Sequence, residues 1–511
     1  MNFAGMNLNQ HGAGWPPDTT GDVGLTYYVQ AVNTSIGIYR KSTGAAVSTT
    51  TFNSFFPSSV GSPCDNNNQG DSIVLYDQYN QRWVIFDFAW SGTSNGSFYS
   101  IAASQTSDPT GAWWTYCLHA DNTLMNDYPK GGVWHDGIYI TANMFQFSGS
   151  FQHAKVWALK APGIYNGTLT VQSITDNAWE AWSILPSHAK GSTAPPAGAP
   201  NYMYALDAIF WWEFDVDWTT PANTTWTGHS PLSVAAYTLT ASGIPQPGTS
   251  QTLDSLYGRL MNPAVYRNFG SYASVYLNHV CDVSSRRTER WYEIRINSGT
   301  SSIYQQSTYA PDSHHRWMGS IAGDKNGNIA LGYSVASSTL YPSIRYAGRL
   351  SSDPLNQLSQ GEASMVTGTG SQTSYNRWGD YSCMTINPVD DETFWYTQEY
   401  YITTGTNWQT RIGSFKFTAP TPPDAPTNLT ANAAACNQID LGWTDNSSNE
   451  DGYRVYRGLT AGSLSLIATL PANSKYYRDN GLQRRTTYYY KVCAYNTHGE
   501  SCSSVSSVKT K

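Results

Sequence analysis

Charge is scarce in this 511-residue chain: Asp, Glu, Lys and Arg make up only 13% of it, and the net charge is −7. Lys and Arg never run longer than pairs, so nothing supplies the phosphate-neutralising charge that nucleic-acid binding requires. Nucleic acid is therefore excluded as the expected partner. No run of 18 apolar residues occurs, which excludes a helical membrane span. The seven cysteines include no Cys-x-x-Cys pair, which removes the common structural zinc site, and the spacings of a P-loop or a His-Glu-x-x-His zinc helix are missing. Sustained helical periodicity is missing as well. The opening residues, Met1-Asn-Phe-Ala-Gly5, lack the basic and apolar regions of a signal peptide. That leaves a cytosolic protein or a mature secreted chain without its leader. The composition favours the second.

Aromatic residues make up 14% of the chain, with abundant Gly, Ser, Thr and Asn, a composition suited to a turn-rich, all-β extracellular protein. A unit of strand, turn and aromatic-rich strand recurs. It reads GDVGLTYYVQAVNTSIGIY from Gly21, GDSIVLYDQYNQRWVIFDF from Gly70, NDYPKGGVWHDGIYITANMF from Asn126, RWMGSIAGDKNGNIALGYS from Arg316 and RWGDYSCMTINPVDDETFWYTQEY from Arg377. Weaker copies lie near 201–214 and 268–295. Units of this kind, spaced by roughly 40–70 residues, predict a seven-bladed β-propeller with insertions over residues 1–417. In that register Asp22, Asp71, Asp127 and Asp380 open equivalent strands and face one central mouth.

A proline-rich linker over 418–426 separates this region from residues 427–511. There, apolar and polar residues alternate and turn signals recur. The segment resembles a fibronectin type III domain through Pro426, Leu429, Trp443, Tyr453-Arg-Val-Tyr456, Leu482, Tyr488-x-Tyr490-x-Val492-x-Ala494-x-Asn496 and Gly499-x-Ser501. The resemblance implies that Trp443 belongs to a sandwich core and that Tyr488 makes a corner hydrogen bond. Residues 1–417 resemble a group of secreted bacterial propeller-like proteins sharing the strings at Pro16–Gly24, Arg316–Ser334, Ser343–Arg349 and Arg377–Tyr401. That resemblance implies a fold and a secreted habitat, but no reaction. Among the cysteines, Cys64 and Cys117 flank the second repeat and could staple it. Cys493 faces Cys502 across a hairpin, with Cys436 as a competitor.

Carboxylates converging on a mouth repel one another, and a bound cation such as calcium, a basic partner or a shared proton relieves this. Asp18 lies four residues before Asp22, and Arg377, Arg316, Arg267 and Lys130 stand near equivalent positions. The bland alternative is that each Asp caps backbone amides at a tight strand start. Glycoside hydrolysis needs two carboxyl groups straddling one bond, and Asp22 and Asp71, with Asp127 or Glu399 as a third acid, form the expected set. A lyase would use Tyr266-Arg267-Asn268 or His314-His315-Arg316 instead, taking a proton beside a neutralised uronate. Flat rings suit sugar faces. Of Trp113-Trp114, Trp179, Trp182, Trp211-Trp212, Trp218, Trp378 and Trp395, the two nearest the acids, Trp114 and Trp378, are the expected stacking residues, with Arg316, Arg377 and His315 as further substrate contacts. Asp324-Lys-Asn-Gly-Asn328 lacks the twelfth-position Glu of a calcium loop and reads as a hairpin turn, as does Asp390-Asp391-Glu392. The resulting expectation is a secreted polysaccharide-cleaving protein with no required cofactor, hydrolase before lyase. Its rivals are a non-catalytic glycan-binding adhesin and a self-assembling surface protein.

Overall fold

The computed structural model describes residues 1–12, 14–65, 69–90, 96–240, 243–417 and 421–511. Two compact units divide the chain, Met1–Phe417 and Thr418–Lys511. The expected linker begins with residues 418–420, which lie outside the described residues. The all-β expectation holds in both units.

The first unit is built from antiparallel meanders. The first comprises Thr20–Val23, Tyr27–Val32, Ser35–Arg40 and Ala46–Thr51, and the second Ile73–Asp77, Arg82–Ala89, Ser97–Ser104 and Trp113–Asp121. The third runs over Leu124–Val133, Gly137–Gln146, Phe151–Lys160 and Val171–Asp176. Leu185–Lys190, Asn201–Ala205, Phe210–Asp215 and Thr225–His229 make the fourth, and Ala264–Asn268, Ala273–Val283, Arg286–Asn297 and Thr300–Tyr309 the fifth. Parallel pairing of Leu185–Lys190 with Ala264–Asn268 merges these two into one eight-stranded sheet. The sixth is His315–Gly323, Ile329–Ser337, Leu340–Arg349 and Glu362–Val366. Cys383–Ile386, Phe394–Tyr400 and Gln409–Phe415 form the last, and its fourth strand is Asn2–Asn7 from the other end of the unit.

Burial grades across each meander. Thr20–Val23, Ile73–Asp77 and Leu185–Lys190 are buried throughout, whereas the fourth strands Ala46–Thr51 and Thr225–His229 are largely exposed. The first strands touch one another in sequence order, and that of the last meander touches that of the first, so the contacts close into a cycle. Aromatic and branched side chains fill the spaces between sheets, among them Trp83, Trp134, Trp157, Trp291, Trp317 and Trp408. Among the described residues of 230–263, between the fourth and fifth meanders, there is no extended strand. They cross to the last meander, where Asp254 N–H donates to the Asn376 carbonyl at 2.7 Å and Ser371 Oγ to that of Pro247 at 2.7 Å.

Cys64 is bonded to Cys117, pinning the loop before the second meander to that meander's last strand. Cys493 is bonded to Cys502, while Cys281, Cys383 and Cys436 carry free thiols. Asp324 closes its hairpin by accepting from the amides of Asn326 and Asn328, both at 2.9 Å. Asp390 does the same for Glu392 and Thr393 at 3.2 and 3.1 Å.

The second unit is a two-sheet sandwich. Thr427–Ala435, Gln438–Thr444 and Tyr476–Asn480 face a sheet of Gly452–Thr460, Ser463–Pro471, Thr487–Asn496, Gly499–Cys502 and Ser506–Lys509. Its core gathers Ile439, Leu441, Trp443, Tyr453, Tyr490 and Val492. The Tyr488 hydroxyl accepts from the Gln483 amide at 3.0 Å, the corner bond that the resemblance implied. Each unit owns its core, so a chain ending at Phe417 should unfold in one transition at the denaturant midpoint that the first unit shows in the full chain. Loss of that cooperative transition on truncation would contradict it.

Candidate functional site

The first strands begin with a repeated backbone device. Asp18 (φ 49°) and Asp71 (φ 53°) each sit in the left-handed region two residues before the first strand of their meander, and so does Ser183 (φ 56°). In the third and sixth meanders the same conformation falls on Tyr128 (φ 54°) and Met318 (φ 50°), inside bulges. Asp tolerates this region because its side chain bonds locally. For Tyr and Met it is an outlier that the surrounding packing must enforce.

These turns bring together Asp18, Asp71, Asp127 and Asp380. The Asp380 amide donates to Asp18 Oδ1 at 2.6 Å, and Asn33 Nδ2 to Asp18 Oδ2 at 2.5 Å. Asn33 Oδ1 accepts from the Asp71 amide at 2.9 Å. The Tyr381 hydroxyl lies 3.1 Å from both Asp71 Oδ2 and the Pro129 carbonyl. Lys130 is buried, donating to the carbonyls of Tyr128 and Pro129 at 3.1 and 3.2 Å, with its ammonium 2.9 Å from the Tyr128 ring centre and 4.4 Å from that of Tyr381. Arg377 forms an ion pair with Asp380. Glu399 stands beside the group, accepting from the Gly379 amide at 2.9 Å.

Burial pushes every one of these carboxyls up. Asp71 rises well above the carboxylate range through burial and then through Asp18, Asp127 and Asp380. Burial and Asp18 push Asp380 up to about 7 although Arg377 opposes them. Asp18, Asp127 and Glu399 are raised mainly by burial, and Lys130 is held well below its ordinary value by the same cause. Arg377 and Lys130 thus stand among the acids as basic partners, and burial favours the protonated form of each carboxyl. Among the described residues, the one trio of His, Cys, Asp or Glu ligand atoms lying within 4.8 Å of one another is Cys493, Glu500 and Cys502, whose two sulfurs are joined to each other.

Asp22 does not belong with these acids. It lies inside Thr20–Val23, where Lys190 Nζ donates to its two oxygens at 2.8 and 2.7 Å, Thr385 Oγ1 donates at 2.6 Å and the Tyr76 amide at 2.7 Å. His188 Nδ1 accepts from the Val133 amide, so Nε2, 3.4 Å from Asp22, carries the proton. Burial alone would raise this carboxyl, but Lys190 and His188 hold it far below the usual range. The sequence register aligned the Gly-Asp of Gly21-Asp22 with that of Gly70-Asp71. The backbone instead makes Asp18-Thr19-Thr20 the counterpart of Asp71-Ser72-Ile73, four residues earlier.

The lyase residues are spoken for as well. Tyr266 is buried, 4.6 Å from the Trp134 ring, and burial raises its phenol, away from what a base needs. Arg267 is paired with Asp391 at 2.9 and 2.6 Å and with the Gly323 carbonyl. Arg316 is buried between Asp312 and Glu362, and His315 Nδ1 accepts from the Arg287 amide. Trp378 is 0% exposed and donates to Ser334 Oγ, so it offers no stacking face. Trp114 is 38% exposed on an outer strand, where its indole donates to the Tyr165 carbonyl. Of the expected substrate contacts, Arg377 alone stands with the acids.

Two features went unread in the sequence. One is a cleft of about 710 Å³ lined by Phe151, Trp179, Glu180, Trp182, Asp207 and Tyr237, among others. The other is Arg259, whose guanidinium carbon lies 4.9 Å from the Tyr128 ring centre. It belongs to the irregular 230–263 segment, where no periodicity or motif marks it.

Residues 424–510 match the family model of the fibronectin type III domain. The second unit is a fibronectin type III domain. Among solved structures, the chain is similar to FN3tt, at 21% identity over 18% of this chain and 98% of that one, with a TM-score of 0.16. It is also similar to an Fn3-like protein from Clostridium thermocellum, at 29% identity over 18% and 96% with a TM-score of 0.16. The sixth fibronectin type III domain of human fibronectin type III domain containing protein 3 gives 24% identity over 18% and 90% with a TM-score of 0.17. A search of curated proteins gives no match. These likenesses concern the fibronectin type III domain and lend no support to the resemblance drawn for residues 1–417.

The buried acids make stability depend on pH. Glu289, fully buried and bonded to Asn278 Nδ2 at 2.9 Å, is raised by burial from 4.5 to about 7, as Asp380 is from 3.8 to about 7. Between about pH 4 and 7 the unfolded chain releases these protons while the folded one keeps them, so stability falls as pH rises through that window. Glu289 alone accounts for roughly 3 kcal/mol. Asp22 acts in the opposite sense, contributing fully above 3.8 and losing its contribution as pH drops through its low folded value. The first unit should therefore resist denaturant better at pH 5 than at pH 8; equal midpoints would contradict the assignment.

Proposed function

We propose that residues 1–417 form a seven-bladed β-propeller that cleaves an extracellular polysaccharide by acid–base hydrolysis at its central mouth. The meanders with consecutive strands, the cyclic contacts of their first strands and the last sheet completed by Asn2–Asn7 favour the propeller reading. The two disulfides favour an oxidising, extracellular setting. The observation that carries the chemistry is the group Asp71, Asp127 and Asp380, gathered from three meanders beside Arg377, in which burial raises every carboxyl and brings Asp380 to about 7. A carboxyl that keeps its proton near pH 7 is suited to protonate a leaving glycosidic oxygen, and a second can activate water or attack the sugar. Asp380 takes the proton-donor role, with Asp71 or Asp127 as its partner.

The experiment is digestion of a polysaccharide panel by the full chain, read as new reducing ends and as absorbance of an unsaturated uronate. Reducing ends without the unsaturated product are expected. The unsaturated product would replace the hydrolase by a lyase. No product on any glycan would leave the second reading, a non-catalytic glycan-binding protein, which the aromatic cleft at Trp179 and Trp182 favours.

A further inference from the structure

The loops that lead into Asp18 and Asp380 carry a pair of exposed rings. Trp15 stands three residues before Asp18 and Tyr375 five before Asp380, and the two rings stack with centres 4.7 Å apart and planes 17° off parallel. Both reach the surface, 36% and 41% exposed. This slab is tied to the acidic group through both loops. Asn33 Nδ2 donates to the Pro16 carbonyl at 2.8 Å as well as to Asp18 Oδ2. The buried Gln372 donates through Nε2 to the carbonyls of Tyr375 and Arg377 at 3.0 and 2.6 Å, and the Trp15 indole donates to the Thr406 carbonyl. Side chains held in this way lose little freedom on binding a ligand.

Asn376, the residue after Tyr375, lines a hollow of about 250 Å³ together with Thr252, Asp254, Ser255 and Tyr257, among others. Asp254 Oδ1 accepts from the Leu256 amide at 3.0 Å, while Oδ2 and the Asn376 side chain meet no hydrogen-bond partner among the described residues. Against burial, Asp380, Asp18 and Asp254 raise the half-exposed Arg377 guanidinium above its ordinary value, so one arginine feels the hollow and the acids alike. Tyr257 and Tyr375 are each preceded by a left-handed residue, Leu256 at φ 48° and Ser374 at φ 74°. For leucine this conformation is an outlier that the surrounding packing must enforce, and such residues cluster at ligand clamps.

We propose that this rim is the subsite that holds the polysaccharide beside Asp380, with a neutral pyranose unit stacked on the Trp15–Tyr375 slab and its hydroxyls donating to Asp254 and Asn376. The inference rests on the polysaccharide reading above and names the class of sugar and the place where it is held. A pyranose presents a face of C–H groups to a flat ring and hydroxyls around its edge, and exposed rings beside a hollow with a few placed acceptors match that division of apolar and polar surface. Among the described residues Asp254 has no basic partner within hydrogen-bond reach. An unpaired carboxylate accepts from hydroxyls but repels a uronate.

The test is calorimetric titration of the full chain, carrying Asp380→Asn so that bound sugar stays uncut, with the hexasaccharides of cellulose, xylan, mannan and chitin and with hexagalacturonate. At least one neutral hexasaccharide should bind, and Trp15→Ala and Tyr375→Ala should each weaken it by about threefold to tenfold, the range for losing one aromatic face. Tyr375→Phe should keep the affinity, and Trp179→Ala, in the separate 710 Å³ cleft, should leave it unchanged. With Asp380 restored, Trp15→Ala should raise KM by the same factor at nearly constant kcat, because the contact is made equally before and in the transition state. A fall in kcat at constant KM would mean that the loop only positions the acids, and it overturns the inference. Binding undiminished in both alanine variants, or lost in Trp179→Ala alone, overturns it as well and leaves the polysaccharide reading standing. Tighter binding of hexagalacturonate than of every neutral sugar overturns the assignment to a neutral unit. Absence of binding to all five overturns both readings. Should Trp15→Ala fail to fold, Tyr375→Ala decides.

Discussion

Replacing Lys190 with methionine should cost the first unit about 3–5 kcal/mol, the penalty for stranding one partner of a buried ion pair. Lys190 and Asp22 are 1% and 2% exposed, and their contact is 2.7 Å. His188 would have to gain a proton in a site whose burial opposes it, or Asp22 would have to take one up. Denaturant unfolding of the chain ending at Phe417 measures the loss. The double variant Asp22→Asn/Lys190→Met should recover a large part of it, because an amide in place of the carboxylate removes the uncompensated charge. If the two single changes simply add in the double variant, the pair is not coupled and the account of Asp22 is wrong.

Under the proposed glycan hydrolysis, replacing Asp380 with asparagine should lower turnover by about 10²–10⁴-fold with the fold retained, the usual contribution of a positioned acid–base group. Asparagine keeps the shape and can still accept from Arg377, but it has no proton to give at neutral pH. Asp71→Asn or Asp127→Asn should cause a loss of similar order if that residue is the partner, while substitution of the other should leave most of the rate. Asp22→Asn, by contrast, should act through stability. Full activity in the Asp380, Asp71 and Asp127 variants together would remove the mouth as the catalytic centre.

The second unit was legible because its signals are local. Alternation places Trp443, Tyr453 and Val455 inside, and Tyr488 meets its partner only five residues away. Meanders of the first unit were legible for the same reason, since turns such as those at Asp77, Asp324 and Asp390 are closed by their own Asp. Their exact register was not, because Asp18 and Asp22 both precede strand-like residues and only the left-handed turn at Asp18 tells them apart. Trp378 and Trp114 show a further limit. An aromatic residue in a twisted sheet reads the same in sequence whether it fills the gap between sheets or faces solvent, and the neighbouring sheet decides. Arg259 gave no signal at all, since its two rings come from elements far apart in the chain.

The pairing of Asn2–Asn7 with Gln409–Phe415 sets a condition on biosynthesis. Asn2–Asn7 leaves the ribosome some four hundred residues before its partner, and at roughly 5–20 residues per second the wait lasts tens of seconds. Throughout that time its hydrogen-bonding edge is open, and the last sheet cannot be completed by any shorter nascent chain. A contact spanning some four hundred residues also forms late because loop closure precedes its reward. The last sheet therefore closes only when the whole unit is made, and a chain with six finished meanders presents two complementary edges able to join a neighbouring copy instead of each other. Fusions or truncations at the amino terminus should accordingly show up first as aggregation during synthesis, before any change in the finished protein.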